Sequence, residues 1–206
     1  VITQPNWSPN LEASARALPA DVSIRRVGSP FGASKNVYWR YLNWLLPAAR
    51  EAARTMSREK VSTLQHATFA SDWMPSPVAF LRRSRLNGVR VVWGPVGGAT
   101  YAPLRFVTPF GVRAVVTDLF RSSLTRPLRW LTLAAMRSRV DIAVAMNDDT
   151  ARAIGSIRRV GIRSNAIIDH DVEPGDPMRP PVAVFMGRGV PWKGLSYALD
   201  AFKEFP

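Results

Sequence analysis

The chain has 206 residues, of which 47% are hydrophobic and none is cysteine. This length and hydrophobicity allow a substantial buried core, and the lack of cysteine excludes disulfide bonds, thiolate metal ligands and a cysteine nucleophile. Lysine and arginine number 28 against 15 aspartates and glutamates, which gives a formal net charge of +13. No apolar run reaches the roughly 20 residues of a membrane-spanning helix, so none is predicted.

Short apolar runs alternate with helical patterns along the chain. Continuous β-branched and aliphatic runs are typical of strands covered on both faces of a parallel sheet. The predicted strands are residues 22–27, 61–65, 89–93, 141–146, 165–169 and 182–186. The predicted helices are residues 37–58, 77–86, 127–139 and 148–157. The alternation predicts a doubly wound α/β fold with a mostly parallel sheet.

Local features support several of these boundaries. Ser76 precedes Pro77, and Asn147 precedes two aspartates, which are typical helix N-termini. Pro47 is expected to break or kink the first long helix. Residues 171–181 contain four prolines and predict a linker. We therefore expect one domain over residues 1–180 and the beginning of a second over residues 181–206.

The positive charge is concentrated in one part of the sequence. Residues 82–139 hold eleven arginines and a single acidic residue, Asp118. A surface of this kind attracts phosphates, as found in nucleic acid, anionic lipid headgroups or nucleotide diphosphates. An arginine-rich composition on a solvated face is the alternative explanation.

Loops after the carboxyl ends of strands usually hold the ligand in open α/β sheets. His66 follows the second predicted strand, where an imidazole can hydrogen-bond a hydroxylated ligand or exchange a proton. A structural histidine is the alternative, and the residue alone favours it. His170 lies between two aspartates, but no second histidine or cysteine completes a metal site there.

The sequence WGPVGG follows the third predicted strand and contains Gly94, Gly97 and Gly98. Glycine allows positive φ and close backbone approach, so exposed amides there can meet an anion or a sugar hydroxyl. The spacing matches neither the Walker loop nor the dinucleotide fingerprint. A tight exit from the strand explains the glycines equally well.

The sequence GRGVPWKG follows the last predicted strand and contains Gly187, Arg188 and Lys193. A pyrophosphate at the start of the following helix would receive backbone amide hydrogens and the helix dipole. Arg188 can bind the pyrophosphate with two parallel hydrogen bonds from its guanidinium, and Lys193 can bind it through its compact ammonium charge. Both positive charges would offset the negative charge on a departing nucleoside diphosphate. An exposed turn with ordinary basic residues is the alternative.

In order and spacing, four segments resemble the bacterial group-1 glycosyltransferases of the family 4 type, which are retaining enzymes with the GT-B fold. The segments are LQHATF with the following PSP (64–77), VWGPVGG (92–98), AMNDDT (145–150) and VFMGRGVPWKG (184–194). The resemblance implies two Rossmann-like domains that face each other across a cleft. The first domain would bind the acceptor and the second the nucleotide-diphosphate sugar.

The resemblance also implies roles for individual residues. Arg188 and Lys193 would hold the donor diphosphate beside Gly187, and His66 would lie in the cleft near the donor sugar. The glycines of residues 94–98 would line the acceptor side, and Thr150 would have a capping or structural role. The enzyme would need no metal or other cofactor.

The implied reaction transfers a sugar to a hydroxyl acceptor with retention of configuration. The acceptor would be a sugar or a lipid-linked molecule in cell-envelope glycan, glycolipid or exopolysaccharide synthesis. The protein would act in the cytoplasm or at the inner face of the plasma membrane, without binding a specific nucleic acid. Helical residues 124–137 combine leucines with arginines, which suggests docking on anionic lipid or, alternatively, ordinary packing on the sheet.

Three departures from the family pattern affect these expectations. Its first β-α unit would precede residue 1, and its motif of two glutamates would follow residue 206. Gly189 stands where the family often has a larger apolar residue. We therefore expect a fragment of a longer enzyme that is inactive by itself. A basic nucleic-acid-binding module and an epimerase-type enzyme of the same fold are the rival hypotheses.

Overall fold

The computed structural model describes residues 2–3, 24–28, 36–67, 70–99, 103–163, 199–201 and 203. Its strands are β1 (Ile2–Thr3), β2 (Arg25–Arg26), β3 (Thr63–His66), β4 (Arg90–Val96), β5 (Ile142–Ala145) and β6 (Val160–Ile162). Its α-helices are α1 (Val37–Arg58), α2 (Leu104–Val107), α3 (Val112–Met136) and α4 (Asp148–Ala153). Short 3-10 helices span Pro77–Phe80, Arg83–Leu86 and Thr108–Phe110.

All strand pairs in the described residues are parallel. Strands β3, β4, β5 and β6 form one sheet in chain order, and β1 pairs with β2 in a separate sheet of two strands. Parallel neighbours require crossover connections, which α3 and α4 provide for the last two pairs. The predicted α/β class with a parallel sheet is therefore confirmed, and the arrangement is Rossmann-like. No helix among the described residues is long and apolar enough to cross a membrane.

The chain forms two compact units. The first comprises Val1–Ala99 and Leu128–Ser164, and the second comprises Thr100–Pro127 and Asn165–Pro206. The first unit contains both sheets, α1, α4 and the last turns of α3. The described part of the second contains α2, the 3-10 helix after it and the first turns of α3. The boundary expected near residue 180 lies outside the described residues and stays a prediction.

The main core of the first unit lies on one face of the four-stranded sheet, because buried and partly buried positions alternate along β4 and β5. Trp93 and Val96 of β4 and Ala143 of β5 pack with Met136 and Ile154 from the flanking helices, and all five are fully buried. A second cluster joins α1 to the loop after β3 through Tyr41, Trp44, Leu45, Ala48 and Met74. Val92, Ile142 and Val144 on the other face are only partly buried, so the continuous apolar runs of β4 and β5 do not reflect complete burial of both faces.

The helix N-termini follow from local hydrogen bonds. Asn36 Oδ1 accepts from the amide of Tyr38 at 2.9 Å, which begins α1. Asn147 Oδ1 accepts from the amide of Thr150 at 2.9 Å, which begins α4, as predicted. Ser76 caps the next segment by accepting from the amide of Val78 at 3.2 Å. Each cap satisfies an amide that has no partner within its helix.

All four helix predictions were wrong in part, and the helix predicted at 148–157 ends at Ala153. Residues 77–86 form two 3-10 helices rather than one α-helix. The helix predicted at 127–139 begins at Val112 and ends at Met136, so Pro127 lies inside it rather than at its first turn. The predicted bounds of α1 are confirmed, but the helix continues through Pro47. A single proline removes one backbone hydrogen bond, and the packed residues on either side of Pro47 maintain the helix.

The strand predictions are confirmed at β3, β4 and β5, with shifts of a few residues. The short strand β6 was missed because its three residues have no apolar run of sufficient length. Of the strand predicted at residues 22–27, the structure describes residues 24–27, with β2 at Arg25–Arg26. The strands predicted at 165–169 and 182–186 lie outside the described residues.

Candidate functional site

His66 lies at the carboxyl end of β3, in register with Trp93 of β4. Its side chain is buried, with 8% of its surface exposed. The imidazole stacks on Tyr41 of α1, with ring centroids 6.3 Å apart. The Tyr41 hydroxyl lies 3.4 Å from His66 Nε2 and donates to the Pro75 carbonyl at 2.7 Å. The predicted position at the strand end is thus confirmed, and packing against α1 limits the rotation of the ring.

The hydroxyl of Tyr41 has one proton, and the short contact to Pro75 O uses it. In the contact with His66, the tyrosine oxygen is therefore the acceptor and Nε2 is the donor. This arrangement selects the imidazole tautomer with its proton on Nε2. Burial raises the pKa of Tyr41, so the hydroxyl stays neutral near pH 7. Tyr41 therefore positions His66.

Tyr41→Phe is expected to lower the free energy of unfolding by about 1–2 kcal/mol, because it leaves a buried carbonyl without its donor. Urea unfolding of the purified chain measures the loss. Tyr38→Phe is the matched control, since Tyr38 is 48% exposed, and it should change stability by less than about 0.5 kcal/mol. Equal effects of the two variants would contradict this account of Tyr41.

A cavity of about 510 Å³ lies beside His66, between α1, β3 and the 3-10 helix at Pro77–Phe80. Trp44, Ala48, Leu64 and Val78 form much of its wall. The wall is mostly apolar, and His66 and Gln65 are polar groups on it. A space of this size and composition is within the range of small-molecule sites.

The glycine loop begins inside β4. The register between β4 and β5 shifts between Trp93 and Val96, as in a β-bulge. Gly94 has φ of 131°, and a Cβ atom on it would lie 2.3 Å from the Val144 carbonyl oxygen. Its own carbonyl accepts from Gln65 Nε2 at 3.2 Å. Only glycine fits this close approach between neighbouring strands.

The loop after β3 pairs with the end of the glycine loop. The Gly97 amide donates to Ala70 O at 3.0 Å, and the Asp72 amide donates to Gly97 O at 2.9 Å. These two bonds extend the parallel pairing of β3 and β4 past the ends of the strands. Residues 70–72 are therefore joined by backbone hydrogen bonds to Gly97 at the edge of the sheet.

Asp72 is the charged centre of this edge. Its side chain has no exposed surface and forms an ion pair with Arg129 Nε of α3, which is 17% exposed. A Cβ atom on Gly98, which has φ of 115°, would lie 2.3 Å from Asp72 Oδ1. The missing side chain at residue 98 is therefore what leaves room for the buried carboxylate.

Burial raises the pKa of the Asp72 carboxyl above its usual value, and the charge of Arg129 opposes this rise. A carboxyl whose pKa is higher in the folded state binds protons more readily when folded than when unfolded. Its contribution to stability therefore falls as pH rises from the unfolded pKa to the folded pKa. The ion pair with Arg129 limits this cost near neutral pH.

The structure brings some of the predicted site residues to one edge of the sheet. His66 is the last residue of β3. Gly94 lies within the neighbouring strand β4, and Gly97 and Gly98 come directly after its end. Thr150 is buried near the start of α4, where its amide donates to Asn147, in keeping with the structural role expected of it. Gly187, Arg188, Lys193 and His170 lie outside the described residues, so their roles stay predictions.

Sequence reasoning missed Tyr41, Asp72 and Arg129. Asp72 is six residues after His66, but nothing in its neighbourhood predicts complete burial, and its partner is 57 residues away. Tyr41 is 25 residues from His66, within an amphipathic helix where it resembles any other core residue. Among the residues described, no cluster of three or more His, Asp or Glu side chains is placed to hold a metal.

Comparisons were made with protein-family models, with curated proteins and with solved structures. None of the three finds a match to this chain. Support for a function therefore comes from the geometry of the sheet edge and from the sequence motifs.

Proposed function

We propose that the chain contains the acceptor-side domain of a retaining, GT-B glycosyltransferase over residues 1–180 and the beginning of its nucleotide-sugar domain over residues 181–206. The observation that carries the proposal is the adjacency of His66 and the glycine loop at the carboxyl edge of neighbouring parallel strands. This edge is where ligands bind in open α/β sheets. The motifs at 64–77, 92–98, 145–150 and 184–194 support it by their order and spacing.

Each part of the edge has a role in the proposed reaction. The His66 imidazole, oriented by Tyr41, faces the sugar or the acceptor hydroxyl and exchanges hydrogen bonds with it. Gly98, which is exposed at the end of the glycine loop, offers its backbone groups to the acceptor, while the backbone groups of Gly97 hold the loop to Ala70 and Asp72. Asp72 and Arg129 lie beneath the loop and hold it in place.

The donor diphosphate would be bound by Arg188 and Lys193. Their positive charges would stabilise the nucleoside diphosphate as it departs, in the place of a metal ion. The acceptor would be a sugar or lipid-linked hydroxyl compound of a cell-envelope glycan, glycolipid or exopolysaccharide. The reaction would take place in the cytoplasm or at the inner face of the plasma membrane.

The test is a transfer assay with the full-length protein that the gene encodes. UDP-, GDP-, ADP- and dTDP-sugars are supplied with mixed sugar and lipid-linked acceptors, and release of nucleoside diphosphate is measured. Arg188→Ala and Lys193→Ala are each expected to cost about 2–4 kcal/mol of transition-state stabilisation, which is about 30- to 800-fold in kcat/KM. Product stereochemistry by NMR reports on retention.

Arg158→Ala is the control for loss of one positive charge, because Arg158 is exposed on the turn before β6 and should leave turnover unchanged. Turnover that is near normal in both the Arg188 and Lys193 variants would refute the assignment of the donor site. Tight, salt-dependent binding of DNA or RNA, together with no affinity for nucleotide sugars, would favour the nucleic-acid-binding hypothesis instead.

A further inference from the structure

The first turns of α3 expose apolar side chains to solvent. Phe120 is 69% exposed, Val112 is 80% exposed and Val116 is 58% exposed, which is unusual for large hydrophobic residues. Leu119 and Leu124 are each 47% exposed on the same part of the helix. With 3.6 residues per turn, these five positions fall on one side of α3.

The opposite side of the same turns is largely polar. The less exposed positions there are Ala114, Val115, Asp118, Arg121, Ser122 and Thr125, four of which are polar, and Thr125 is 6% exposed. Asp118 and Arg121 form an ion pair at 2.8 Å. A surface helix of a soluble protein normally has the reverse arrangement, with apolar residues inside and polar residues outside. This part of α3 therefore exposes large apolar side chains while polar ones are partly buried on its other side.

The preceding segment extends the exposed apolar surface within the same unit. Leu104 and Phe106 of α2 are 49% and 51% exposed. A groove of about 280 Å³ lies between this segment and α3, with Phe106, Phe110 and Ala114 in its wall. We name the exposed face of residues 104–126 the apolar face. Several large apolar side chains exposed on one side of a helix are typical of an interaction site.

The charges around the apolar face have one sign. Residues 104–126 contain four arginines and one acidic residue, Asp118, which is already paired with Arg121. Arg105, Arg113 and Arg126 are exposed, and no ion pair of theirs occurs among the described residues. The partner must therefore be both apolar and negatively charged.

We propose that the apolar face docks on the surface of an anionic lipid bilayer, with the helix axis in the plane of the interface. The exposed Phe, Val and Leu side chains enter the boundary between headgroups and acyl chains, and the three arginines contact lipid phosphates. Aromatic and aliphatic side chains beside basic ones are the composition of interfacial helices. A second copy of the chain is a poor partner, because two surfaces with the same excess of arginine repel each other. This inference does not rest on glycosyl transfer.

Insertion is tested with a single labelled cysteine, since the chain has none of its own. Phe120→Cys is labelled with an environment-sensitive NBD dye and mixed with vesicles of phosphatidylcholine containing one third phosphatidylglycerol. We expect a blue shift and an increase of NBD emission, because the label enters an apolar medium. Arg50→Cys, on the exposed face of α1, is the control and should show neither change. Identical spectra of the two labelled proteins would overturn the proposal.

Vesicle co-sedimentation at low and high salt tests the charges. Each basic residue near an anionic surface contributes about a fivefold gain in partitioning, so Arg113→Gln with Arg126→Gln should weaken binding about 30-fold. Arg50→Gln with Arg158→Gln removes the same charge from other exposed positions and should leave binding nearly unchanged. Val116→Ser with Phe120→Ser should weaken binding about tenfold or more without a change in charge.

Circular dichroism establishes that each variant is folded before its binding is compared. Failure of the unsubstituted chain to sediment with anionic vesicles at low salt would overturn the proposal. Equal binding to vesicles of phosphatidylcholine alone would overturn the part assigned to the arginines. If Arg113→Gln with Arg126→Gln and Arg50→Gln with Arg158→Gln lose equal vesicle affinity, binding depends only on net charge. That result would also overturn the proposal.

Discussion

Arg129→Met is expected to lower the free energy of unfolding by about 3–5 kcal/mol, because it leaves the Asp72 carboxylate buried without its cation. Asp72 has no exposed surface, so water cannot replace the guanidinium. Chemical unfolding followed by circular dichroism measures the loss. Arg137→Met, just past the end of α3, is the matched control and should change stability by less than about 0.5 kcal/mol, since Arg137 is exposed.

The double variant Asp72→Asn with Arg129→Met should recover part of this loss, because no buried charge then remains unpaired. The single variant should also become more stable as pH falls from 7 towards 4. Without Arg129 the folded pKa of Asp72 rises further, so the folded state takes up a proton that the unfolded state does not. If the double variant is as unstable as the single one, the ion pair is not the source of the loss.

Gly94→Ala is expected to cost at least about 4 kcal/mol, among the largest effects of a single substitution. The new Cβ atom would lie 2.3 Å from the Val144 carbonyl oxygen, a backbone atom of β5 that cannot move without breaking the sheet. The φ of 131° adds backbone strain for any residue with a side chain. Urea unfolding, together with the yield of soluble protein, measures the effect.

Gly88→Ala separates the cost of the close atomic contact from the cost of backbone strain at positive φ. Gly88 also has positive φ, at 77°, but a Cβ atom on it would meet no other atom within 4 Å, so backbone strain of about 1–2 kcal/mol is the whole expected cost. Gly161→Ala, with neither positive φ nor a close atom, should be nearly neutral. A loss at Gly94 no larger than that at Gly88 would contradict the close contact between β4 and β5.

The positions of the central strands and helix N-termini could be predicted because they depend on short-range features. The apolar runs of β4 and β5 supply one buried and one partly buried face, and the Asn147 cap needs only an amide three residues away. The position of His66 at the end of a strand follows from the same reasoning, whereas Gly94, predicted to follow a strand, lies inside β4. The start of α3 could not be predicted, because large apolar side chains lie on its exposed side and polar ones are mixed with Ala114 and Val115 on its inner side, so the usual periodicity is lost.

The sequence by itself determined the α/β class, the bounds of α1, the strand before His66 and the presence of a glycine-rich segment at residues 94–98. Backbone propensity, capping and apolar periodicity act over a few residues, which is why these features can be found without a structure. Only the tertiary structure decided that Tyr41 orients His66, that Asp72 is buried against Arg129 and that Gly98 leaves room for it. Those contacts join residues 25 to 57 positions apart, and packing rather than local sequence determines which of them meet.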